Sequence, residues 1–425
     1  RQIQRLRIDV SRNGKAILLI GAGKLQTPTL ELARRLGFLV VATDQNPNCA
    51  GRPWADWFEV ISGSDVESLI GLAEQVDRQH GLAGAFASAD FALPAVAAIA
   101  EHYGLPGPSQ RTVTACLNKE TCKTILRHAG IPTPEGWNLE EDTDLSSIEK
   151  QLPETVIVKP AASSGSQGVR SAHRDHDLAV AIGEARRFGP RVIIEPLLQG
   201  IHIDVNACMI EGKLVPCGLL DREFSRIPYH YPIRGRQPSS LTVRQQEEVY
   251  SFLARAAHAL DLESGPLKAD LIWTQTGPVF LEIAPRFHGD VSTSFITPLV
   301  YGMSPVELWF SYLKSRKGGL IHFPPSPARQ FAGWQALFPE APGVLQEIRG
   351  EAEARALAGI EEVQITARTG SILHNPKDNS SVCGFIWAVG RSCQEVYDRL
   401  DSARQEIRLL VKPEAVPAIS EKSHA

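Results

Sequence analysis

The 425-residue chain has no apolar run near the ~18 residues of a membrane span, so no membrane partner is expected. It has no basic block either. Its 44 Lys and Arg against 48 Asp and Glu leave a net charge of −4, so nucleic acid is not an expected partner. Its seven cysteines form no CxxC pair. That argues against a zinc or disulfide framework and for reduced thiols in the cytoplasm. HExxH, GxSxG and GxxxxGK[ST] are all missing, so a histidine metal site, a nucleophile elbow and a Walker loop are not expected. Internal repeats and low-complexity tracts are absent too. The opening stretch, RQIQRLRIDVSRNGK, has no apolar core for a secretory signal and reads as polar and frayed; without an initiator Met it is not taken as the native start.

What is present is ordinary for a globular protein: 43% apolar and 22% charged residues, enough to bury real cores. Length alone suggests roughly two to four domains at ~150 residues each. Up to about residue 110, buried strands (15–20, 39–43, 57–61, 83–88) alternate with helices (25–36, 65–79, 91–102). That alternation is α/β and predicts a doubly wound parallel sheet. Then the pattern becomes α+β. A helix at 109–129 precedes strands at 155–159, 169–173 and 191–195, with a helix at 175–187. A hairpin follows over 202–220, then a helix at 242–260 and a second hairpin over 266–284. The Pro-rich stretch 323–327 marks a boundary, after which strands and one helix (392–410) are expected. The expected units are 1–112, 113–198, 199–325 and 326–425.

Four constellations carry chemistry. In the hairpin 266–284, a three-residue loop Gln275-Thr276-Gly277 would pair Thr274 with Pro278 and Asp270 with Glu282. Leu271, Trp273, Val279, Leu281 and Ile283 would form the apolar face, with Lys268 and Arg286 on the acids' side. Opposed acids repel. A divalent cation bridging them would relieve that, and oxygen ligands favour magnesium or manganese. On this reading, Glu282→Gln leaves the metal-free protein as stable or slightly more stable. Second, Lys159 ends a strand and precedes the small-residue loop 161–168, containing Ser163, Ser164, Gly165, Ser166 and Gly168. Exposed backbone N–H groups and hydroxyls there can cradle an anion. Third, Gly21-Ala22-Gly23 with Asp44 half-resembles a dinucleotide fingerprint, but Gln26 replaces the last glycine, which favours a bare tight turn. Fourth, His230 and Tyr231 lie among Arg222, Arg226, Arg234 and Arg236, a composition that can hold a carboxylate or phosphate or simply be a solvated basic loop.

In order along the chain, NKETCKTILRHAGIPTPEG, VIVKPAASSGSQGV, VIIEPLLQG and ADLIWTQTGPVFLEIAPRFHGD resemble the ATP-grasp superfamily, over about residues 15–400. The resemblance implies an ATP-grasp fold: an N-terminal domain, a lid, a catalytic subdomain and a C-terminal α+β module. It implies ATP and Mg²⁺ (or Mn²⁺) as cofactors. Lys119 and Lys159 would reach the phosphates. Glu195, Pro196, Leu197 and Leu198 would read adenine, Glu195 by side chain as well as backbone. Asp270 and Glu282 would hold metal, and Arg286 would steady the transferring group. Two departures stand out. Ala284 replaces a metal-binding Asn, a loss that water or Asp290 would make good. His202 replaces a ribose-binding Glu, with Asp204 as substitute.

The resemblance further implies a ligase joining a carboxylate to an amine, with amino acids as substrates and an acylphosphate between. Within the superfamily the layout looks nearest to the L-amino-acid ligases and the carboxylases that share it. Arg222, His230, His288 and Asp290 would line the substrate end. A homodimer is compatible with this likeness. The alternatives are a carboxylase acting through carboxyphosphate, a nucleotide-binding protein without turnover, and a dinucleotide-dependent dehydrogenase built on residues 15–44.

Overall fold

The computed structural model describes residues 14–143, 145–288, 292–316 and 328–413. The N-terminal stretch, the Pro-rich segment 323–327 and Asp290 lie outside the described residues.

Strands β1 (Ala16–Ile20), β2 (Leu39–Thr43), β3 (Trp57–Glu59) and β4 (Leu82–Ala87) form a parallel sheet in the order β3-β2-β1-β4. β1, β2 and β4 are buried along their whole length, as strands covered on both faces must be. Leu69, Leu72, Val76 and Ile99 cover one face. The other face is covered partly from far away, by Trp309, Phe310 and Leu313 of the helix Pro305–Ser315. That helix ties the first sheet to the rest of the chain. Gly21-Ala22-Gly23 is a turn closed by its own acid: Ala22 N–H donates to Asp44 at 2.9 Å.

The helix expected over 109–129 is two helices, Gln110–Leu117 and Lys119–His128. Asn118 leaves the helical conformation and its side chain accepts from Thr121 N–H at 3.0 Å, capping the second helix. Lys119 therefore opens a helix. Next, β5 (Trp137–Leu139), β6 (Thr155–Pro160), β7 (Arg170–His173) and β8 (Val192–Pro196) form an antiparallel sheet ordered β5-β8-β6-β7, backed by the helix Leu178–Arg186.

The largest sheet begins with β9 (Ile201–Ile210), β10 (Lys213–Phe224), β11 (Pro232–Gln237), β12 (Gly265–Thr274) and β13 (Gly277–Ala284). The C-terminal stretch adds β14 (Phe331–Leu337), β15 (Gly343–Arg349), β16 (Ile360–Ile365), β17 (Ile372–Leu373), β18 (Gly384–Gly390) and β19 (Arg408–Lys412). Eight strands run in the order β13-β12-β9-β10-β11-β14-β18-β16. The units expected as 199–325 and 326–425 thus share one sheet, joined where β11 pairs with β14. Strands β17-β15-β19 form a small second sheet.

Alternation along β9 and β12 sorts the chemistry. Ile203, Val205, Ala207, Leu267, Ala269 and Leu271 join a core with Val249, Leu253 and Ala256 of the helix Val243–Ala259. The residues between them face the other way. The hairpin differs from expectation in one respect. Its turn is tighter, with Thr274 opposite Gly277 and Trp273 opposite Pro278. A bulge then shifts the register between Leu271 and Asp270, so that Asp270 still faces Glu282. An extra residue reverses the alternation of one strand. Phe280 thus enters the core beside Ile283, while Leu281 lines the cavity instead of joining the apolar face.

Candidate active site

A cavity of about 620 Å³ lies between the parallel sheet, the sheet β5-β8-β6-β7 and the eight-stranded sheet. Every residue expected to bind nucleotide, metal or substrate lines it, except Gly168 and the undescribed Asp290.

At one end, Lys159 of β6 and Lys123 of the helix Lys119–His128 share the carboxylate of Glu195. Lys159 Nζ donates to Oε2 at 2.6 Å, and Lys123 donates to Oε1. Burial opposes the charge on Lys123 and the neighbouring Lys159 adds to this; together they outweigh Glu195 and bring its pKa to about 7. Lys159 is also opposed by burial, but Glu195 holds its pKa above the ordinary value. Burial pushes the Glu195 pKa up, and the two ammonium groups pull it further down. Each carboxylate oxygen of Glu195 thus accepts from one lysine, which leaves further acceptor capacity on both.

Lys119 Nζ donates to the carbonyl of Ser163 at 2.5 Å and lies 3.7 Å from Glu282 Oε2, linking loop and hairpin. The loop 161–168 turns through left-handed Gly165, Ser166 and Gly168 (φ +64°, +62° and +70°). Its far side is held by the C-terminal module, where Asn379 N–H donates to Gly165 O at 3.1 Å.

The acid pair is where expectation is corrected. Asp270 and Glu282 do face each other, but a divalent cation is not needed to relieve their repulsion. Lys268 Nζ sits between them, 2.9 Å from Asp270 Oδ2 and 2.7 Å from Glu282 Oε1. Burial opposes the ammonium charge, but the two acids hold the Lys268 pKa above its usual value. Burial likewise pushes the Glu282 pKa up, and Lys268 and Lys119 bring it down to about 2.

A histidine also joins these acids, although no histidine metal site is expected from the sequence. His288 Nε2 is 2.7 Å from Asp270 Oδ1 and 3.7 Å from Asp204 Oδ1. Among the described residues, Asp204, Asp270 and His288 are the group whose ligand atoms converge, all within 4.8 Å of one another. These oxygen and imidazole donors fit a divalent cation. Arg222 forms an ion pair with Asp204. Burial keeps His202 neutral, its pKa lowered to about 4, and lowers that of His230 as well. The other arginines of the basic loop face elsewhere. Arg226 is exposed, Arg234 pairs with Glu223 and stacks on Tyr397, and Arg236 pairs with Asp221.

Arg286 lines the cavity with its guanidinium held by Asp90, at the C-terminal end of β4. Asp90, Lys123 and Asn206 were not singled out from sequence, although each had a signal. Asp90 follows a parallel strand, where open sheets bind ligands. Lys123 lies one helical turn from Lys119. Asn206 continues the alternation His202, Asp204. Trp334, Thr366, Asn379 and Phe385, the C-terminal wall of the cavity, carried none.

Comparison with known proteins agrees with this geometry. Residues 116–290 match the model of the ATP-grasp domain, the segment that contains Lys119, Lys159, Glu195, Asp270, Glu282 and Arg286. Residues 335–412 match the L-amino acid ligase C-terminal domain 2. The chain is an ATP-grasp ligase. The crystal structure of L-amino acid ligase from Bacillus licheniformis superposes on this ligase with a TM-score of 0.79 at 20% identity, covering 94% of this chain and 99% of that one. The uncharacterized protein y4rH of Sinorhizobium fredii is 24% identical over 419 residues, which is 96% of this chain and 86% of that protein. Carnosine synthase 1 of Mus musculus is 26% identical over 321 residues, and the match spans 38% of that longer protein. The ATP-grasp domain of this ligase is the basis of a ligase or carboxylase mechanism that uses ATP. Among its described residues no helix is long and apolar enough to cross a membrane.

Proposed function

We propose that the ligase joins the carboxylate of one amino acid to the amine of a second through an acylphosphate, releasing ADP and phosphate. The observation that carries this reading is that a single cavity gathers three lysines, a left-handed serine-glycine loop, an acid pair and a pinned arginine. The match of residues 335–412 to an L-amino acid ligase domain favours an amine nucleophile over bicarbonate.

Lys119 and Lys159 bind the ATP phosphates, and Glu195, Pro196, Leu197 and Leu198 take adenine, with Glu195 held in place by Lys123 and Lys159. His202 lies on the ribose side, and Asp204 faces His288. Loop 161–168 closes over the phosphates and keeps water from the acylphosphate. A divalent ion held by Asp270 and its neighbours would offset the charge of the phosphate oxygens. The carboxylate oxygen attacks the γ-phosphorus and ADP leaves. The amine then attacks the acyl carbon and phosphate leaves. Arg286, fixed by Asp90, stabilises the oxyanion of that second step. Arg222 and His230 orient the amino-acid substrates, with His288 beside them on Asp270. The units 1–112, 113–198, 199–325 and 326–425 serve as N-terminal domain, lid, catalytic subdomain and C-terminal module.

The test is a panel of amino acids, singly and in pairs, with ADP and phosphate release measured and the products identified by mass. A dipeptide formed together with one ADP supports the reading. Turnover that requires bicarbonate and yields no amide overturns it in favour of a carboxylase.

A further inference from the structure

Among the described residues, Lys119, Arg286 and Lys268 are cations that could neutralise both acids of the hairpin, and the structure sorts them by distance. Lys119 stands off at 3.7 Å from Glu282. Arg286 is committed to Asp90. Lys268, with a side chain only 5% exposed, is in hydrogen-bond contact with one oxygen of each acid. An ammonium in that position fills the place of a cation bridging Asp270 Oδ2 and Glu282 Oε1. A divalent ion there as well would meet a like charge at contact distance, where Coulomb repulsion is large. Ala284, opposite Lys268 in the ladder, brings no side-chain oxygen that would hold a metal against this competition.

The second oxygen of Asp270 points the other way, to His288 Nε2 at 2.7 Å. Asn206 sets the orientation of that imidazole: its Oδ1 accepts from His288 N–H at 3.0 Å and lies 3.2 Å from Nδ1. Without an ion, Nε2–H donates to Asp270; a cation that replaces that proton, with Nδ1–H donated to Asn206, meets the Nε2 lone pair and the oxygens of Asp270 and Asp204, the arrangement in which imidazole binds metal. Arg222 engages Asp204 through Oδ2, and Oδ1 faces the histidine.

We propose that Lys268 is a built-in cation replacing one divalent ion between Asp270 and Glu282, and that the ligase carries a single divalent ion on the far side of Asp270, bound by Asp204, Asp270 and His288. The proposal rests on the reading of this cavity as the ATP site. With a nitrogen ligand the site favours Mn²⁺ over Mg²⁺ more than an all-oxygen set does.

The test counts Mn²⁺ bound per full-length chain, from the electron paramagnetic resonance signal of the unbound ion, with a non-hydrolysable ATP analogue at saturation. Nucleotide binding is followed separately by calorimetry. The wild type should bind one Mn²⁺. Lys268→Ala should bind two, and His288→Ala should bind its ion roughly 10–100-fold more weakly. Two ions on the wild type, or an unchanged Mn²⁺ affinity in His288→Ala, would overturn the proposal while leaving the ATP reading in place. No nucleotide binding at all would overturn both. Should Lys268→Ala fail to fold, the wild-type count and the histidine variant still decide.

Discussion

Arg286 and Asp90 are 196 residues apart and form a two-point ion pair, Nε to Oδ1 at 2.6 Å and Nη2 to Oδ2 at 2.7 Å. A third donor, Nη1, reaches the carbonyl of Phe287 at 3.0 Å. The pair joins the end of the acid hairpin to the C-terminal edge of the parallel sheet. An arginine held in this way meets a developing oxyanion without having to reorganise.

Asp90→Asn should therefore damage chemistry more than nucleotide binding. A neutral amide cannot replace the two-point contact, and the nearly buried guanidinium loses its charge partner. Breaking such a pair costs about 3 kcal/mol. Expected are a lower urea midpoint and a drop in kcat of tenfold or more, with the affinity for ATP analogue unchanged. Full kcat in the folded variant would mean that Arg286 is not needed at the reacting atoms.

Glu282→Gln should destabilise the metal-free protein, the reverse of what a bare acid pair predicts, because Lys268 loses one of its two carboxylates. The loss should be about 1–3 kcal/mol, as for a buried group left short of a partner. The pH dependence follows from the sign of the shift. The Glu282 pKa is about 2 in the fold and about 4.5 in the unfolded chain, so its contribution is complete above about 4.5 and fades as pH falls toward 2. Urea midpoints at pH 7 and pH 3 should differ less in the variant than in the wild type. Equal acid sensitivity would contradict the Lys268 contact.

Lys123→Met tests the shared carboxylate. The Lys123 pKa is about 7 in the fold, below its ordinary 10.5. Between those values the unfolded chain binds more protons, so this group makes stability rise with pH. The variant should flatten the rise between pH 7 and pH 10, with Glu195 still paired to Lys159. A slope identical to wild type would mean that Lys123 titrates normally.

Gly168→Ala tests the loop. Gly168 has φ +70°, and an added Cβ would meet Phe188 and Pro160 at 2.7 and 2.9 Å. Left-handed backbone in a non-glycine residue costs about 1–3 kcal/mol. Amide exchange over 161–168 should quicken, and the nucleotide-induced protection expected of the wild-type loop should weaken. If protection by ATP analogue is equal in both proteins, the loop does not close by this turn.

Much of this was legible in the chain because it is local. Buried runs and their spacing determine the parallel sheet, and period-2 alternation puts Asp270 and Glu282 on the polar face. The small-residue loop after Lys159 marks a candidate anion site by composition. The sequence also determines that Ala284 offers no metal ligand. Tertiary structure decided which charges meet. The bulge at Leu281 is a single-residue event that periodicity averages away, yet it sends Phe280 into the core and Leu281 into the cavity. Asp90 finds Arg286, Lys123 finds Glu195 and His288 finds Asp270 across separations of 196, 72 and 18 residues. Local propensity carries no information about those distances. Lys268 lies two residues from Asp270 and was visible on the same face, but whether that face met water, a metal or its own lysine depended on burial. Only the packed fold supplies burial, because it takes the whole sheet to exclude water from one side of it.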